Sequence, residues 1–196
     1  MNKLIVIVGA SGVGKTTLAR ALSNREKFTI ALEQHSERPF QALFKQDARY
    51  ALANQMDYLL YRAEQERELR KGHIPALMDG GFDLDFHGFT RLFHTRGLLS
   101  DAEYDLCRRF YLHTRSLLPP PDLVVALSAD SHTISQRLAS RNRINIASSE
   151  DADLLEEYVN EWLESIPESN ILKLNVSQEN SEYSHSIPLI LDKINQ

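Results

Sequence analysis

Apolar runs of strand length alternate along this chain with segments whose apolar residues recur every three or four positions. Lys3–Val8 holds the unbroken run Leu4-Ile5-Val6-Ile7-Val8, which predicts a strand buried on both faces. Lys15–Ser23 then takes a helical period, and Phe28–Glu33 predicts a second strand. Ala48–Lys71 predicts a long helix, with Leu52, Met56, Leu59 and Leu60 on one face and charges opposite. Ile74–Met78 predicts a third strand. Asp101–Leu118 predicts a helix opened by Ser100 with Glu103 three residues on, a capping box, and stopped by Pro119-Pro120-Pro121. Asp122–Leu127 is a fourth strand, Ser131–Arg141 a helix, Asn142–Asp151 a polar loop and Asp153–Ser165 a helix. Ile171–Asn175 is a fifth strand and Ile187–Ile194 a closing helix. This alternation predicts a doubly wound, five-stranded parallel α/β sheet with helices on both faces. With no repeat, low-complexity tract or linker, residues 1–196 read as one domain.

Composition narrows the function classes. Apolar residues make up 42% of the 196 positions and charged residues 25%, ordinary for a globular protein. The net charge of -5 argues against a nucleic-acid partner, which requires a basic surface to displace counterions. Small anionic ligands need only a local basic pocket. The one cysteine, Cys107, lies in an amphipathic stretch and reads as a packing residue. The opening apolar run is too short to span a bilayer, so no membrane partner is expected and the chain reads as cytoplasmic.

Directly after the first strand, Gly9-Ala10-Ser11-Gly12-Val13-Gly14-Lys15-Thr16 satisfies G-x-x-x-x-G-K-[ST], and the segment to Thr17 opens a helix. Glycines let consecutive amides point inward at phosphate oxygens, and the helix N-terminus adds a favourable field. Lys15 is placed to reach the β- and γ-phosphates of ATP, and Thr16 to offer its hydroxyl to Mg²⁺. The cradle establishes a nucleoside triphosphate and does not say what is done with it. No N-K-x-D base-reading motif of GTPases is present, and the chain length suits a small-molecule kinase.

Four constellations bear on the second substrate. Glu33 ends the second strand, where a carboxylate can take the proton of an attacking hydroxyl. Gln55 and Arg62 lie seven residues apart, two helical turns, on one face of the long helix, and a glutamine amide suits a nucleobase edge. Asp79, Asp83 and Asp85 follow the third strand and suit Mg²⁺ or sugar hydroxyls. Arg137 and Arg141 share a helix face and Arg143 enters the polar loop, an arrangement suited to a lid over transferring phosphate, about 141–151. Taken singly, each also fits a solvated strand end, helix face or loop.

The order of the phosphate cradle, Glu33 with Glu37-x-Pro39-Phe40, Gln55 and Arg62, the Asp79 segment, Pro121-Asp122-Leu123 and the lid arginines resembles the deoxynucleoside kinases, nearest their bacterial deoxyadenosine/deoxyguanosine branch. The resemblance covers roughly residues 3–165. It implies a P-loop kinase fold and transfer of the ATP γ-phosphate to a deoxynucleoside 5'-hydroxyl, with Mg²⁺ at Thr16 and Asp79 and a homodimeric assembly. Glu33 matches the general base, and Gln55 and Arg62 the base-reading pair. Asp79 opens the second signature, with Asp85 further along it, and Arg137, Arg141 and Arg143 match the lid arginines. Gly80, Leu84 and Phe86 stand where the bacterial signature has Tyr, Lys and Arg, and Ile146 where the lid has a glutamate. The alternatives are a kinase for another small hydroxyl or a nucleoside monophosphate, and an ATP-binding regulatory module without turnover.

Overall fold

The structure, a computed structural model, describes residues 2–32, 38–139 and 149–195. Among these residues five parallel strands form one sheet, β1 (Leu4–Gly9), β2 (Thr29–Ala31), β3 (Ala76–Asp79), β4 (Leu123–Ser128) and β5 (Ile171–Asn175), in the order β2-β3-β1-β4-β5. The fold class expected from the alternation is the one observed. The sheet order reverses direction beside β1, so the carboxyl ends of β1, β3 and β4 surround one crevice, the place where open α/β sheets bind ligands. Ile7 of β1 is in register with Asp79 of β3 and Gly9 with Leu127 of β4.

The period of two along β1 divides the core into two layers. Ile5 and Ile7 pack with Leu18 and Leu22 of α1 (Lys15–Arg25) and with Ile187, Ile190 and Ile194 of α9 (Ser186–Asn195). Leu4, Val6 and Val8 face the other way, onto Leu69 of α3 (Ala51–Leu69) and Val159, Trp162 and Leu163 of α8 (Ser149–Glu164). A third cluster lies beyond the sheet. In it Leu59 and Ala63 of α3 and Cys107 and Tyr111 of α6 (Asp101–Leu117) enclose Phe82, Phe86 and Phe93. Cys107 is buried there and its thiol is pushed up to about 11, chiefly by burial, as a packing residue requires.

Several expected boundaries move. The long helix opens with a 3₁₀ turn over Ala48–Tyr50 before α3 begins, and Leu60, expected on its apolar face, is 48% exposed. β2 stops at Ala31. Part of the expected polar loop, from Ser149, is already the first turn of α8; its residues 142–148 lie outside the described residues. Two helical segments were not expected. One is α2 (Pro39–Phe44), with Pro39 at its first turn. The other runs from α4 (Phe82–Leu84) through a π-helical turn (Asp85–Thr90) into α5 (Arg91–Thr95). The Ser100–Glu103 capping box forms as expected, the Ser100 N–H donating to Glu103 Oε2 at 2.8 Å. Among the described residues no helix is long and apolar enough to cross a membrane.

Candidate active site

The cradle follows from how closely the chain must pass its neighbours. Gly9 leaves β1 at φ +141°, and a β-carbon there would lie 2.4 Å from the Leu127 carbonyl oxygen of β4. Gly14, at φ +110°, caps α1 without a side-chain hydrogen bond, leaving the first amides of the helix to an anion. Lys15 folds back over the loop, donating from Nζ to the carbonyls of Gly9 at 2.9 Å and Ala10 at 3.1 Å.

Across the crevice stands Asp79, at 0% exposure, its Oδ2 accepting the Thr16 hydroxyl. Its other oxygen, Oδ1, is buried and has no hydrogen-bond partner among the described residues. A buried carboxylate oxygen without a partner is costly unless a cation or donor meets it. Thr16 donates its proton to Asp79 and so keeps oxygen lone pairs for a cation. One hydroxyl and one carboxylate are the kind of sparse oxygen set that Mg²⁺ uses when phosphates and water complete its octahedron, so these residues fit the ion. Among the described residues no group of three His, Cys, Asp or Glu is placed to hold a metal by itself.

The structure also gathers Gln55, Arg62 and Asp85 beside Asp79. Arg62, buried on α3, donates from Nε to Asp85 Oδ2 at 3.1 Å and from Nη1 to the Asp79 carbonyl at 3.3 Å. Gln55 donates from Nε2 to the Asp85 carbonyl at 3.2 Å and to Thr90 Oγ1 at 2.8 Å, tying α3 to the π-helical turn. Gly80 makes room for Arg62, because a β-carbon there would lie 3.2 Å from Arg62 Nη2. Leu84 and Phe86 are core residues: Leu84 packs in the layer with Val6, and Phe86 stacks on Tyr111 at 4.1 Å. The acid that ends β3 and the two that follow it therefore separate, Asp79 to Thr16, Asp85 to Arg62, and Asp83 to Arg115 and Tyr111.

Arg137, expected at the nucleotide, donates to the carbonyls of Val13 at 2.6 Å and Val176 at 3.0 Å, against the back of the cradle. Glu33, Arg141, Arg143 and Ile146 lie outside the described residues.

Sequence reasoning did not find the buried ionic chain that supports this wall. Glu66 accepts from Arg70 and from Arg115, and Arg115 also pairs with both oxygens of Asp83. Tyr111 donates to Asp83, so the Tyr111 oxygen receives its contact with His87 Nε2, at 3.1 Å, from a ring N–H. Burial pushes His87 down to about 4, against a smaller opposing pull from Asp83, and it stays neutral. Burial and Asp83 together raise Tyr111 well above its ordinary value. Burial alone lowers Arg115, but Asp83 and Glu66 outweigh it and hold the guanidinium charged. The one sequence signal for the chain was the i,i+4 spacing of Glu66 and Arg70.

The family described as "Deoxynucleoside kinase" matches residues 5–196. A Bacillus subtilis (strain 168) deoxyadenosine/deoxycytidine kinase is 25% identical over 202 residues, covering 98% of this chain and 92% of that one. A deoxyguanosine kinase of the same organism is 26% identical over 145 residues, covering 71% and 67%. Among solved structures, deoxyadenosine kinase from M. mycoides with dCMP and a flexible dCDP bound superposes with a TM-score of 0.78 at 21% identity, covering 98% of each chain. The same kinase with bound dATP gives 0.75 at 20% identity, covering 98% of this chain and 100% of that one. At such identities the structural likeness speaks for the fold.

Proposed function

The chain belongs to the deoxynucleoside kinase family, and on that premise we propose that it transfers the γ-phosphate of ATP, with Mg²⁺, to the 5'-hydroxyl of deoxyadenosine, deoxycytidine or deoxyguanosine, the nucleosides in its relatives' names. The observation that carries the reading is the meeting at one crevice of the cradle, the Thr16–Asp79 pair with an oxygen unpartnered among the described residues, and the Gln55–Arg62–Asp85 group.

In this reading Gly9 to Thr17 bind the phosphates through backbone amides, and Lys15 neutralises the β- and γ-oxygens. Thr16 and Asp79 would hold Mg²⁺, which would offset charge on the phosphates. Gln55 and Arg62 orient the base, and Asp85 fixes Arg62. Glu33 takes the 5'-hydroxyl proton as that oxygen attacks, and Arg141 and Arg143, in a lid of about 141–151, meet the charge that spreads over the equatorial oxygens. Leu84 and Phe86 are packing residues, so no cation comes from the wall behind Asp79 at those positions. Among the chain's own residues, that leaves transition-state charge to Lys15 and the lid arginines.

The chain works as one domain, in the cytoplasm, and as a homodimer. Supporting the dimer, the contacting helices α3 and α6 leave Leu60, Leu106 and Leu117 exposed, apolar side chains that a second copy can cover.

The test is a phosphorylation screen with ATP over the four deoxynucleosides, their ribose counterparts and the monophosphates. Turnover on a deoxynucleoside supports the proposal. Turnover confined to monophosphates, or ATP binding with no acceptor used, overturns it.

A further inference from the structure

The closing turn of the cradle is held from behind by two residues far along the chain. Arg137, in α7 (Ser131–Ala139), donates from Nη1 to the Val13 carbonyl at 2.6 Å and from Nη2 to the Val176 carbonyl at 3.0 Å. Tyr183, between β5 and α9, donates its buried hydroxyl to the Gly14 carbonyl at 3.1 Å. The same carbonyl also accepts the Leu18 N–H at 2.9 Å. In a trans peptide the carbonyl and the following N–H point to opposite sides. Fixing the Val13 and Gly14 carbonyls therefore aims the amides of Gly14 and Lys15 away from these two side chains.

The contact is built into the fold. Tyr183 is 2% exposed and packs with Val13, Leu18 and Ile187. Among the described residues it is the one non-glycine with a positive φ, +50°, a conformation that L side chains rarely adopt. Hydrogen bonds from its N–H to Asn180 and from Ile187 to its carbonyl hold it there. The hydroxyl lies so close to Gly14 that a β-carbon at that position would sit 2.0 Å from it. In the same connection Glu179 accepts from the Ser186 N–H at 2.7 Å and from its hydroxyl, closing the loop onto α9.

We propose that Tyr183, together with Arg137, is a positioning residue for phosphate transfer: it fixes the peptide planes of Val13–Lys15 so that their amides are set for the ATP phosphates before ATP arrives. This rests on the assignment of Gly9–Thr17 as the ATP cradle. The clamp gives Arg137 a role independent of any direct contact with nucleotide, and gives the β5–α9 connection a share in binding.

The experiment is calorimetric titration of the full chain with ATP and Mg²⁺, for wild type and Tyr183→Phe, which keeps the ring in its packing and removes only the hydroxyl. The ATP dissociation constant should rise about three- to tenfold, the worth of one net hydrogen bond. The KM for nucleoside should move less than about twofold, since the hydroxyl touches only the ATP side. Arg137→Gln is the second arm and should raise the ATP constant by a similar factor. The double variant should lose less than the product of the two, because both act on adjacent peptides. ATP affinity unchanged in both single variants overturns the proposal, as does a loss shared equally by ATP and nucleoside. ATP binding is read without an acceptor, so failure of the clamp is distinct from failure of the activity: the first leaves transfer intact, the second leaves ATP bound and no acceptor phosphorylated.

Discussion

Replacing Glu66 by glutamine should cost stability out of proportion to so small a change. Glu66 is 1% exposed, and its two oxygens accept three charged hydrogen bonds: Arg70 Nε at 3.0 Å, Arg115 Nη1 at 2.8 Å and Arg115 Nη2 at 2.9 Å. Glutamine keeps the shape but turns an NH₂ donor toward a guanidinium donor, and the negative charge between buried Arg70 and half-buried Arg115 disappears. Breaking a buried pair from one side costs about 3–5 kcal/mol. Here part is recovered, because Arg115 keeps Asp83 and Arg70 keeps the carbonyls of Pro119 and Pro120. The expected loss is about 2–4 kcal/mol, a fall in melting temperature of roughly 10 °C for a chain of this size. Urea unfolding at pH 7, with the slope unchanged, measures it. Glu68→Gln, at a side chain 59% exposed, is the control and should leave the unfolding midpoint nearly unchanged. A loss below about 1 kcal/mol for Glu66→Gln would refute the view that this chain of charges ties α3 to α6 and to the entry of β4.

Three further outcomes follow from the site and its surroundings. Lys15→Ala should abolish transfer and severely weaken ATP binding in a titration, because the phosphates lose their fixed cation; unchanged affinity would remove the cradle assignment. Glu33→Gln keeps the shape and removes the base, so ATP and nucleoside binding should survive while kcat falls roughly 10²–10⁴-fold; a variant within a few-fold of wild type would place the base elsewhere. His87 is neutral when folded, with its value pushed down to about 4, whereas the unfolded chain takes up that proton near 6.5. Its contribution is therefore intact above pH 7 and is lost as pH falls from 6.5 to 4, by about 2–3 kcal/mol at pH 4.5. Unfolding of wild type and His87→Asn at pH 7.5 and 4.5 should show the smaller pH loss in the variant.

Much of this molecule was legible from local pattern. A strand buried on both faces announces itself as an unbroken apolar run, and β1 does so, with its two residue sets feeding two core layers. The cradle was legible because a β-carbon at Gly9 would meet the Leu127 carbonyl of β4 at 2.4 Å and one at Gly14 would meet a buried tyrosine hydroxyl, so both positions require glycine. The segment after β3 was not legible as helix, because Gly80, Gly81 and three aspartates break the apolar period and the charges are satisfied only by distant partners. Asp83 meets Arg115, 32 residues on, and Asp85 meets Arg62, 23 residues back. Gln55 and Arg62 were correctly placed on one face, yet what they bond, the backbone of the π-helical turn and Asp79, depends on that unforeseen helix. Tyr183 gave no signal at all, since its partner Gly14 is 169 residues away.

If one crevice joins the ATP cradle to a deoxynucleoside 5'-hydroxyl, the γ-phosphate must pass directly from one to the other. With γ-labelled ATP, Mg²⁺ and a deoxynucleoside, the label should appear in the deoxynucleoside 5'-monophosphate, in step with ADP, and should vanish with Lys15→Ala. ADP formed while the label passes only to water, or no labelled nucleotide from any deoxynucleoside, would contradict it.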